Sequence, residues 1–79
     1  MLKDKGIEMN EVKIKDDFIK LGQAMKLAGM VDSGLDAKIV IQNGEVKLNG
    51  QTETQRGKKL VSGDVFEYNG QSAKIANKD

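Results

Sequence analysis

Residues 33–50 read Ser33-Gly34-Leu35-Asp36-Ala37-Lys38-Ile39-Val40-Ile41-Gln42-Asn43-Gly44-Glu45-Val46-Lys47-Leu48-Asn49-Gly50. The hydrophobic period changes within this stretch, and that change decides the fold. Ser33 with an acid three positions later, Asp36, is a capping-box variant that opens a helix. Ala37, Val40 and Ile41 then share one helical face, while Lys38 and Gln42, four apart, share another. Gly44 suits the left-handed position that ends a helix. From Glu45 the repeat becomes two: Val46 and Leu48 alternate with Glu45 and Lys47, which is the pattern of a half-buried strand. Asn49-Gly50 follows, and this dipeptide is the strongest two-residue hairpin signal because both residues tolerate positive φ. A helix that runs into a hairpin within so few residues points to an α+β chain.

Toward the N-terminus, Phe18, Leu21, Met25 and Ala28 fall on one face of a second helical pattern, with Ala24 beside them. This predicts a helix from Phe18 to Ala28, capped by Asp16 or Asp17 and ended by Gly29. Gly22 costs that helix about 1 kcal/mol relative to Ala and suggests close packing at that point. The link Met30-Val31-Asp32 is short, so the two helices should pack as a pair. Upstream, Val12 and Ile14 alternate with Lys13 and Lys15, a strand pattern that reaches back toward Ile7-Glu8-Met9. Residues 1–5 carry no apolar pattern and read as a loose tail.

Toward the C-terminus, Gln51-Thr52-Glu53-Thr54 would be the returning strand of the hairpin. Gln55-Arg56-Gly57-Lys58-Lys59 is a basic loop, Leu60-Val61 leads to the turn Ser62-Gly63-Asp64, and Val65–Tyr68 is a strand. Asn69-Gly70 is a second hairpin turn, Gln71–Ala76 is the last strand, and residues 77–79 read as a tail. The expected order is strand, helix, helix, then several strands: two short packed helices against a small, mostly antiparallel sheet with an added N-terminal strand. No repeat or linker interrupts the chain, so its 79 residues read as one domain.

Composition excludes much chemistry. The chain has no Cys, His, Trp or Pro, and its aromatics are Phe18, Phe66 and Tyr68. Without Cys there is no disulfide framework and no thiolate nucleophile or metal site. Without His there is no Ser-His relay and no imidazole ligand, and zinc held by carboxylates alone would be unusual. Asp16 and Asp17 point in different directions and make a poor acid–base pair. The nine glycines contain no phosphate-loop motif, and most sit at helix ends or turns. A domain of this size buries only roughly 60% of its surface, which leaves little room for an enclosed site. We therefore expect no enzyme, cofactor, metal or small-molecule substrate. The start of the chain shows no signal peptide, and no apolar stretch is long enough for a membrane span. The expectation is a cytoplasmic monomer.

The net charge of +1 hides an uneven distribution. Residues 18–63 hold seven cations against four acids, a net of +3, whereas 1–17 and 64–79 are each −1. Arg56-Gly57-Lys58-Lys59 is the densest positive run, and Gly57 would let backbone amides approach an anion. Lys38 and Gln42 on helix two and Lys47 on the next strand are placed to share one side with it. Phe66 and Tyr68 read as core or sheet-face residues rather than base-stacking platforms.

The order of these pieces resembles the S-four RNA-binding domain, or alpha-L motif. The pattern is carried by Leu21, Gly29, Ser33, Ala37, Gly44-Glu45-Val46-Lys47-Leu48-Asn49-Gly50 and Val61-Ser62-Gly63-Asp64-Val65, and it spans Phe18 to Tyr68. Leu21-Gly22-Gln23, Asp32-Ser33-Gly34, Ala37-Lys38 and Arg56-Gly57-Lys58-Lys59 look most like the small stand-alone bacterial YbcJ/YaaA-like members. Two departures stand out. Gly34 lies where many members carry Arg, and Lys20-Leu21-Gly22 lies where many carry Arg-Leu-Asp. The resemblance implies a non-catalytic module that docks on structured RNA, ribosomal or transfer RNA, through phosphates and sugars. The expected contacts are Lys38, Gln42, Lys47, Asn49, Gln51, Arg56, Gly57, Lys58 and Lys59, with Thr52 as a further hydrogen-bonding group. With so few aromatics, a single-strand binder of the stacking kind is not expected. A protein-interaction adaptor of a ribosomal or replication assembly is the alternative, and DNA as the ligand stays open.

Overall fold

The computed structural model describes residues 9–78. The expected tail at residues 1–5, the upstream Ile7-Glu8 and the terminal Asp79 lie outside them. The elements in chain order are β1 (Met9–Ile14), β2 (Ile19–Lys20), α1 (Leu21–Leu27), α2 (Gly34–Gln42), β3 (Val46–Leu48), β4 (Gln51–Thr52), β5 (Lys59–Leu60), β6 (Val65–Tyr68) and β7 (Gln71–Asn77). Five strands form one sheet in the order β1-β7-β6-β3-β4, and β2 with β5 forms a separate two-stranded ribbon. Among the described residues, the β1–β7 pairing is parallel and the other pairings are antiparallel. The α+β architecture expected above is the one observed.

Alternation decides which face of the sheet is buried. Val12 and Ile14 of β1, Val46 and Leu48 of β3, Phe66 of β6, and Ala73 and Ile75 of β7 join one apolar cluster. That cluster also holds Leu21, Ala24 and Met25 of α1 and Ala37 and Ile41 of α2. The helices therefore cover this face. The intervening residues Lys13, Lys47, Glu67 and Lys74 are exposed, on the other face.

Local signals fixed α2 and both hairpins as expected. The Asp36 amide donates to Ser33 Oγ at 3.2 Å. Both helices end in Schellman motifs: Met30 N–H donates to Met25 O, and Glu45 N–H to Val40 O. The hairpin turns are of type I′, with Asn49 and Gly50 at φ 52° and 86°, and Asn69 and Gly70 at 54° and 80°.

Helix α1 departs from expectation. It begins at Leu21 rather than Phe18, its N-cap is Lys20 in extended conformation, and no side chain caps it. Asp16 and Asp17 thus do not serve as caps. The chain ahead of Leu21 is claimed by a strand: Ile19 and Lys20 pair with Leu60 and Lys59. The first helical N–H groups are then met by the basic loop, Leu21 N–H donating to Lys58 O at 2.8 Å and Gly22 N–H to Arg56 O at 3.1 Å. Phe18, removed from the helix, stands 40% exposed instead of in the core. Two further differences are smaller. Strand β4 stops at Thr52. Asn77 is the end of β7 rather than tail, and Lys78 N–H donates to Ile14 O across the β1 edge.

Candidate nucleic-acid interface

The basic loop is a β-turn on a rigid base. Lys58 N–H donates to Gln55 O at 3.2 Å, which places Arg56 and Gly57 at the tip. The loop carbonyls of Arg56 and Lys58 bond to the start of α1, so the turn is fixed to the helix at two points. Gly22 completes the junction. A Cβ on Gly22 would lie 2.7 Å from Arg56 Cγ and 3.7 Å from Ala37 Cβ. The missing methyl group is therefore what lets the Arg56 stem lie across α1, while a methyl group there would meet Ala37 of α2 at ordinary contact distance. The packing role suspected for Gly22 has a physical cause.

Two hollows flank the turn. On one side a cleft of about 300 Å³ is lined by Lys20, Gln23, Lys26, Gly34, Arg56 and Gly57, together with Gly22. Three of these residues are cationic and none is acidic. A Cβ on Gly34 or on Gly57 would meet nothing within 4 Å, so packing requires glycine at neither position. On the other side, Asn49, Gln51, Thr52, Lys58 and Lys59 line a more polar hollow with Glu53 and Asp64.

The expected set is thus partly gathered. Arg56, Gly57, Lys58, Lys59, Asn49 and Gln51 surround one turn. Lys38 and Gln42 are exposed on α2 and follow Gly34 at helical spacing, but they are not among the residues that line the cleft. Lys47 does not join them. Its neighbours Val46 and Leu48 face the helices, and Lys47 projects from the opposite face of the sheet, in register with Thr52 and Glu67.

Asn49 has structural work. Its Nδ2 donates to Asp64 Oδ1 at 3.0 Å and its Oδ1 accepts from Val65 N–H at 3.0 Å. Asp64 also accepts from Val61 N–H through Oδ2 at 2.9 Å. The Asn-Gly and Gly-Asp turns, far apart in sequence, are thereby tied together, and β5 is held beside the hairpin. Lys20, Gln23 and Lys26 were absent from the expected set. Their signal was present, since Gln23 and Lys26 are spaced as one exposed face of α1 and Lys20 stands at a position where the resembled family is basic.

The helix pair, the hairpin and the turn between them together make the alpha-L motif, and the chain belongs to the S4 domain family, whose model matches residues 12–76. The match extends beyond the expected Phe18–Tyr68 span and takes in the second half of β1 and β7 as far as Ala76. Among relatives, the probable ribosome maturation protein RlbA of Bacillus subtilis (strain 168) is 41% identical over 61 residues, covering 77% of this chain and 86% of that protein. The putative RNA-binding protein YbcJ of Escherichia coli (strain K12) is 36% identical over 61 residues, covering 77% of this chain and 87% of that one. The solution structure of E. coli YbcJ, which has an alpha-L motif involved in RNA-binding, superposes with TM-score 0.67 and 29% identity over 96% of this chain and 95% of that chain. The crystal structure of 30S ribosomal protein S4e from Thermoplasma acidophilum matches with TM-score 0.56 and 29% identity, covering 73% of this chain and 31% of that one. Among the described residues, no helix is long and apolar enough to cross a membrane.

Proposed function

We propose that this chain is a non-catalytic RNA-binding module of the bacterial cytoplasm that docks as a monomer on structured RNA, ribosomal or transfer RNA. The observation that carries the reading is the cleft with Lys20, Lys26 and Arg56 on its walls and no acid among its described lining residues, beside Lys58 and Lys59. Such a cluster follows a phosphate backbone, and each neutralised phosphate releases counterions. Arg56 is the strongest single contact, because its stem is seated on Gly22 and its planar fork suits phosphate oxygens. Lys58, Lys59 and Lys38 add phosphate contacts. Gly57, with open space around its Cα, lets backbone approach. Gln42 and Gln51 are exposed and suit 2′-hydroxyls, whereas Thr52 pairs with Lys47 on the other sheet face. Asn49 contributes by holding the turn in place, and Lys47 lies outside this footprint. The S4 family membership and the RNA-binding relatives support the same reading.

Fluorescence anisotropy with a folded RNA and with an RNA and a DNA duplex of one sequence tests it. Tighter binding to RNA is expected, through the 2′-hydroxyl contacts. Equal affinity for both duplexes would make the ligand nucleic acid in general. No binding to any of them would refute the reading.

One observation favours the adaptor alternative. Leu35 and Ile39 of α2 stand 65% and 49% exposed, and Ile39 borders a hollow with Asp32 and Asp36. A partner that stays bound in a pull-down after nuclease treatment, and after charge reversal of the basic turn, would support an adaptor.

A further inference from the structure

Phe18 has no part in the apolar core, yet it is one of the chain's three aromatic residues. Strand β2 takes the chain away from the helical line that would have buried it, and its ring is left at the surface. The surroundings are mostly cationic, with Asp16 and Asp17 lining a further hollow beside the ring together with Lys15 and Lys20. Lys59 Nζ sits 4.7 Å from the ring centroid. The ring borders a groove of about 380 Å³ with Lys13, Lys15, Lys26 and Lys78 on its rim and Leu27 beside it, Asp16 being the acid among its lining residues. Gln23 and Lys26 line both this groove and the Arg56 cleft. The aromatic groove is therefore continuous with the proposed RNA face.

We propose that Phe18 is a stacking platform for a single unpaired nucleobase, with Lys59, Lys15 and Lys26 on the phosphates that flank it. The inference rests on the RNA-binding reading and deepens it: the ligand is a duplex with an unpaired nucleotide at its edge. Lys59 covers the ring in the free protein. An exposed cation–π contact is weaker than stacking of a base on an aromatic ring, so the base displaces the ammonium group, which moves to a phosphate. One platform serves one base. This fits a chain whose other two aromatics, Phe66 and Tyr68, are buried and half-buried in β6.

The test compares an RNA hairpin carrying one bulged 2-aminopurine with the same hairpin lacking the bulge. The wild-type protein should bind the bulged RNA more tightly and quench its fluorescence. Phe18→Leu should lower affinity for the bulged RNA about five- to tenfold, abolish the quench and leave the unbulged hairpin unaffected. Phe18→Trp should restore both signals. Unbulged binding without any effect of Phe18→Leu would overturn the stacking role and leave RNA binding intact. If Phe18→Leu instead changed only self-association in sedimentation, the patch would be a protein contact. Loss of binding to both hairpins by the wild type would overturn the RNA reading itself and the stacking role with it.

Discussion

The turn at Arg56–Lys59 and the outer face of α2 carry the same kinds of side chain but hold them differently. Arg56 and Lys58 sit on a turn whose carbonyls cap α1, and the Arg56 stem lies on Gly22. Lys38 and Gln42 project from an ordinary exposed helix face. A long side chain held before binding loses less rotamer entropy when it meets a phosphate, and ordering one costs roughly 0.5–1.5 kcal/mol. The turn also carries the denser charge, Arg56, Lys58 and Lys59 against Lys38. Backbone support separates the two regions further, and both differences predict that the turn contributes most of the affinity.

The largest test of that difference is charge reversal. Arg56→Glu with Lys58→Glu and Lys59→Glu should weaken structured-RNA binding by about a hundredfold at fixed salt. Lys38→Glu with Gln42→Glu should cost less than about tenfold. Equal losses measured by anisotropy would erase the distinction between the regions.

A pair of identical substitutions sharpens it. Gly22→Ala places a methyl group against Arg56 Cγ and should lower RNA affinity by about fivefold while barely changing thermal stability, the lost Arg seating offsetting a helix-propensity gain of about 1 kcal/mol. Gly34→Ala meets open space, so affinity should stay constant and the protein should gain up to about 1 kcal/mol from the same propensity term. Denaturant melts and anisotropy on both variants read the two effects.

The two Asn-Gly turns provide a third test. Asn49→Ala and Asn69→Ala impose the same positive-φ strain, but Asn49 also bonds to Asp64 and to Val65 N–H. Asn49→Ala should therefore be the more destabilising in urea titration by about 1–2 kcal/mol. Smallest of all is Lys47→Ala. On the far sheet face, it should change RNA affinity less than twofold, about 0.4 kcal/mol on the affinity scale.

What could be read from the sequence was what is decided locally. Ser33 and Asp36 fix the start of α2, Gly29 and Gly44 the two helix ends, and each Asn-Gly pair its hairpin. These signals act over a few residues, and the S4 pattern added their order. The start of α1 was not legible, because its caps are Arg56 and Lys58 carbonyls from more than thirty residues away. The short strands β2 and β5 were hidden for the same reason: two paired residues leave no periodic trace. The candidate site divides along the same line. The basic turn stood out as a charge run. Its partners Lys20, Gln23 and Lys26 are brought to it only by the capping of α1, and the assignment of Lys47 to the same side failed because strand alternation turns it away from the helices.

The central claim is that the anchored turn neutralises phosphates, and the dependence of RNA affinity on salt tests it most directly. Log K against log salt should fall steeply for the wild type, and the slope should shrink by about one unit for each of Arg56, Lys58 and Lys59 replaced by Ala. A slope that stays the same when all of them are replaced would contradict the account.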